Sequence, residues 1–85
     1  MMEIRFTQAA RRHRIGRASV RWVMAHNSPT RSATKDGDAA WYWMGPDERG
    51  RELEVIAVET QGERDDEMIL LVIHVMPNYR GKERR

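Results

Sequence analysis

Four consecutive side chains, Arg11, Arg12, His13 and Arg14, place three guanidiniums around one imidazole. Guanidinium grips phosphate oxygens through paired donors, and imidazole transfers protons near neutral pH, so this run suits work on a phosphodiester. Arg51 follows a tight turn and opens a strand-like segment, a rigid mount for a guanidinium that must hold phosphate. His74 stands late in an apolar run as a second proton-transfer candidate. Asn78-Tyr79-Arg80-Gly81-Lys82 adds a phenol, a guanidinium and an ammonium, a set able to stack a base and neutralise phosphate. Each candidate has a plain structural alternative. His13 can pack on a sheet beside Ala9 and Ala10, and His74 can be a half-buried histidine bonded to a neighbour. Arg51 can pair with Glu52 or Glu54, and residues 78–85 can be an ordinary solvated chain end. His26 ends a helical segment, where an imidazolium suits the negative end of the dipole.

Other chemistries lack their residues. The 85-residue chain has no cysteine, so disulfides, thiolate metal sites and a Cys nucleophile are excluded. It has no Gly-rich phosphate loop, no HExxH and no GxSxG, and its three histidines show no ligand spacing, so no metal or cofactor is expected. No apolar run approaches the roughly 20 residues that span a bilayer. The first residues, MMEIRFTQAARR, lack the apolar core of a secretory signal, so a cytoplasmic protein with no membrane partner is expected.

The charges are sorted along the chain. Residues 1–35 carry eight Lys/Arg against one acid, a net +7; residues 36–67 carry three Arg against eleven acids, a net −8; residues 68–85 carry four bases against one acid, a net +3. Basic ends around an acidic middle predict a polyanion site assembled from both termini. The bland reading of the acidic stretch is solvated turns and strand edges.

The elements that must position these residues follow from periodicity. Thr7 is a fitting N-cap for a helix over Gln8–Arg14, with Ala9, Ala10 and His13 on one face. A second helix spans Arg17–His26, with Val20, Val23 and Met24 at i, i+3, i+4, and Asn27-Ser28-Pro29 stops it. Thr30–Lys35 reads as an edge strand. Ala39–Met44, Arg51–Thr60 and Glu67–Met76 read as strands joined by turns at 35–38, 45–50 and 61–66. Ile4 and Phe6 suggest a short strand or an extended lead-in. The segment Glu67–Met76 is apolar on both faces, so it belongs inside the sheet, and Pro77 ends it. The expected fold is therefore α+β in one domain, residues 1–85. It has two N-terminal helices packed on a three- to four-stranded antiparallel sheet, with 78–85 as a basic tail. Trp41 and Trp43 share one strand face, as core or as a partner surface.

Arg12-His13-Arg14-Ile15-Gly16 and the amphipathic helix after it resemble the RKHGVS segment and following helix of BrnT-type toxins. Gly45, Gly50-Arg51, Leu53 and Val55 resemble that family's G…GR-L-V-V hairpin, and the last apolar strand leading into basic residues is similar too. The family's usual Arg-dense final helix is replaced here by Pro77 and a shorter tail containing Gly81. The resemblance implies a RelE-superfamily ribonuclease, with RNA as substrate and a cognate antitoxin as partner, and it leaves ribosome association open. Residue by residue it carries over to Arg12, His13, Arg51, Arg80 and Lys82; together with the residues read above, the catalytic candidates are His13, Arg51, His74 and Arg80, and the RNA contacts are Arg11, Arg12, Arg14, Tyr79 and Lys82. The alternative from another class is a non-enzymatic module that binds nucleic acid or protein through the same basic face.

Overall fold

The computed structural model describes residues 3–34, 36–64 and 66–78. Its elements run β1 (Glu3–Phe6), a one-turn 3-10 helix (Ala9–Arg11), α1 (Arg17–His26), β2 (Thr30–Ala33), β3 (Ala39–Pro46), β4 (Glu52–Gln61) and β5 (Met68–Pro77). The five strands form one sheet in the order β1-β5-β4-β3-β2. β2 through β5 make an antiparallel meander, and β1 adds parallel to β5, with Ile4 opposite Leu70 and Phe6 opposite Val72.

Two expectations are corrected. The sheet is five-stranded and mixed, not a three- to four-stranded antiparallel one. Among the described residues α1 is the single α-helix, because the first expected helix shrinks to the turn Ala9–Arg11. Thr7 sits just before the turn rather than at its N-cap, which is Gln8 with no side-chain cap bond, yet its Oγ1 accepts the Ala10 N–H at 3.3 Å. The turn cannot propagate. A helix of seven residues is far below the length that is stable on its own. Arg11 and Arg14 would repel at i, i+3 with no acid nearby, and only Ala10 is buried. Arg14 instead takes a left-handed conformation, φ 56°.

α1 lies across one face of the sheet. Val20 and Val23 are buried there against Trp43, Leu53, Val55, Ala57, Val72 and Val75, with Ile4, Phe6 and Ile15 packed around them. Strand alternation puts Tyr42, Glu54, Ile56, Val58 and His74 on the opposite face. A bulge at Ile73 shifts the β4–β5 register between Ile56 and Ala57. At one end α1 reaches the β3–β4 hairpin through Ser19, and at the other Asn27 sits against Gly45. The Asn27 side chain also closes the helix, donating from Nδ2 to the Val23 carbonyl at 3.0 Å. Among the described residues no helix is long and apolar enough to cross a membrane.

Candidate nucleic-acid interface

The pairing of the strands decides which residues share an end of the molecule. β1 runs parallel to β5 beside Ile69–Val72, so the chain leaving Phe6 heads toward the C-terminal end of β5. Thr7 fixes that direction, its N–H donating to the Val72 carbonyl at 3.0 Å and its hydroxyl to the same oxygen at 3.2 Å. The segment Ala9–Gly16 therefore lies at the end where β5 finishes beside Leu53 and where the β3–β4 hairpin turns. The Asn78 N–H donates to the Glu52 carbonyl there, so the last described residue marks the same end.

That hairpin is built around one acid. Asp47 is buried, 4% exposed. Its Oδ1 accepts the backbone N–H groups of Arg49 and Arg51, each at 2.9 Å, and its Oδ2 accepts the Arg51 Nε–H at 2.8 Å. Burial by itself would push the Asp47 carboxyl up. The hydrogen bonds from Arg51 and Arg49 and the Arg51 charge outweigh it and hold the carboxyl below the ordinary carboxylate range. Gly50, at φ 81°, lets the loop turn back into β4. The Arg51 side chain is thus tethered at Nε but 42% exposed, leaving guanidinium donors toward solvent.

Across from this hairpin stands the start of α1. The Ser19 hydroxyl donates to Glu48 Oε1 at 2.6 Å and accepts from Arg51 Nη2 at 3.4 Å. The helix has no acid in its first turn, Gly16 offers no side-chain cap, and Arg17 is the first helical residue. Placing a cation at the positive end of the helix dipole is locally unfavourable, and the Glu48 carboxylate on Ser19 supplies an anion beside it. Arg11, Arg12, His13, Arg14 and Arg17 are all exposed, and the Arg17 guanidinium lies 5.7 Å from the Phe6 ring centroid. His13 makes no hydrogen bond among the described residues.

The structure thus brings Arg11, Arg12, His13, Arg14 and Arg51 to one end of the sheet. It does not bring His74 with them. His74 Nε2 lies 3.1 Å from Glu54 Oε1 on the face opposite α1, and the Tyr42 hydroxyl donates to Glu54 Oε2 at 2.9 Å. Burial, then the Glu54 bond and charge, push the Tyr42 phenol up to about 12. Tyr79, Arg80 and Lys82 lie outside the described residues. His26 Nδ1 meets the Trp22 carbonyl at 2.9 Å, and its ring stacks on Trp22, which keeps it at the far end of α1. Trp43 is core, whereas Trp41 donates from Nε1 to Glu59 at 2.7 Å. Ser19, Asp47 and Glu48 were not anticipated as parts of this site. The Asp-x-x-Gly turn was the available signal for Asp47, because Asp accepts from backbone N–H groups two and four residues on.

The sequence matches no protein-family model, no curated protein and no solved structure.

Proposed function

We propose that this chain is a metal-independent endoribonuclease, acting in the cytoplasm as the toxin of a toxin–antitoxin pair. One observation carries the reading. Arg51, tethered by buried Asp47, bonds Ser19 at the start of α1, whose first turn holds no acid of its own and where Glu48 also reaches Ser19, at the end of the sheet toward which Arg11–Arg14 run. Such an end concentrates donors and positive potential where a phosphodiester would sit.

The chemistry is attack of the RNA 2′-hydroxyl on the adjacent phosphorus. A solvent water takes the 2′-hydroxyl proton as that oxygen bonds to phosphorus, the P–O5′ bond breaks, and the 5′-oxygen takes a proton from a ring nitrogen of His13, leaving a 2′,3′-cyclic phosphate. Arg51 and Arg12 hold the non-bridging oxygens as charge builds on them. His74 stands on the other face and is left out of this step. RNA is the substrate because the nucleophile is its own 2′-hydroxyl.

The test is purified chain and RNA in the presence of a chelator, beside induced expression with and without the neighbouring reading frame. The reading expects cyclic-phosphate ends, growth arrest and relief by the neighbour. Arg51→Lys keeps a cation opposite Asp47 but loses the forked donor, and should cut about 10²-fold more slowly with its fold intact. Intact RNA and harmless expression, with RNA still retained on the protein, would replace the nuclease by a binding module.

A further inference from the structure

No described element packs on one face of the sheet, and β2 is one of its two edge strands. α1 and the 3-10 turn pack on the face of Trp43, Leu53 and Val55. On the other face an open groove of about 630 Å³ has Ala40, Tyr42, Ile56, Val58 and Ile73 as its apolar floor. The charged side chains among its described lining residues are Asp36 and Asp38.

The groove runs beside β2, which is the end strand of the sheet and exposed at all four residues. Antiparallel pairing with β3 uses the backbone groups of alternate residues and leaves the others pointing outward. Native edges are commonly guarded by a charge or a proline. β2 has no proline, and its one charged side chain, Arg31, lies back over the Trp41 ring at 5.4 Å.

An open edge beside an apolar groove is the combination that captures an extended peptide. Main-chain bonds give affinity, and the groove takes every second side chain. We propose that β2 receives a strand from a partner polypeptide, with alternate apolar residues entering the groove and Lys or Arg at the end that meets Asp36 and Asp38. The acidic rim selects the basic end. A second copy of this chain fits poorly, because the β2 residues on that face, Thr30 and Ser32, are too small and polar to fill the partner groove. The inference stands apart from what the basic end does.

The probe is an acetylated octapeptide alternating Thr and Val and ending in two lysines, titrated into the full ¹⁵N-labelled chain. Amide shifts should cluster at Thr30–Ala33 and at Tyr42, Ile56 and Val58. N-methylation of the peptide amides that face β2 should abolish binding. The double variant Asp36→Asn/Asp38→Asn, both exposed positions, should fold normally by near-UV circular dichroism and bind about tenfold more weakly. Shifts confined to other surfaces, or binding indifferent to N-methylation, would overturn the proposal. So would a free chain that sediments as a dimer split by Ser32→Pro, since that gives the edge to a second copy.

Discussion

At the scale of single residues Asp47 holds the hairpin together. Its carboxylate is the fixed point from which Arg51 hangs and around which the hairpin closes. Asp47→Ala strands two backbone donors and should cost about 2 kcal/mol in urea unfolding, whereas Asp47→Asn, which keeps an acceptor, should cost less. The pH dependence has a definite sign. The folded carboxyl is held below its unfolded value, so this stabilisation is full above the unfolded value, near 3.9, and is lost as pH falls through the folded one. Asp47→Asn should flatten that acid limb. Tyr42 gives the opposite case. Its phenol is raised, so its contribution is full below pH 10 and is lost as pH climbs toward 12. Absorbance at 295 nm should show a late step near 12 that Tyr42→Phe removes. Arg51 was legible as a cation after a tight turn, but its partner was not. Glu52 and Glu54 looked nearer in sequence, yet alternation turns both to the face away from Arg51, and Glu54 receives Tyr42 and His74 instead.

At the scale of elements, the strain sits where the basic loop meets α1. Arg14 occupies a left-handed conformation that costs a non-glycine residue about 1 kcal/mol. Arg14→Gly should recover part of that in denaturant unfolding while lowering RNA affinity, a separation that a purely structural loop would not show. At the other end of α1, a Cβ on Gly45 would collide with the Asn27 side chain that closes the helix. Gly45→Ala should therefore cost about 1–3 kcal/mol, read from the same unfolding curves. α1 and β4 could be read from periodicity, because each buries one face at its own period, while β3 and β5 could be read from their aromatic and apolar content and from the Pro that closes each. The parallel pairing of β1 could not. It depends on α1 carrying the chain across the sheet to β2, a contact between residues more than sixty positions apart, and four residues of alternation carry no trace of their partner.

At the scale of the whole molecule, the charge sorted along the chain is only partly sorted in space, because Asp47 and Glu48 of the acidic block meet Arg51 and Ser19 at the hairpin end. The turn Ala9–Arg11 and the start of α1 carry the stretch Arg11–Arg17 toward the hairpin end, whereas Arg5 pairs with Glu3 in β1 and Arg31 lies over Trp41 in β2. The hairpin contributes Arg51, while Asp36 and Asp38 stand at the β2–β3 turn. If five of these cations contact a single strand, log affinity should fall with log salt at a slope near −3.5, and Arg12→Gln should reduce its magnitude by about 0.7. The sheet makes the sharper division, since it sets His74 on the face opposite α1. The direct measurement is RNA cleavage in chelator by His13→Asn and His74→Asn beside the parent chain, all three checked for folding. The account predicts that His13→Asn loses at least about 10²-fold in rate while His74→Asn cuts as the parent does. Full activity in His13→Asn, or loss confined to His74→Asn, would contradict it.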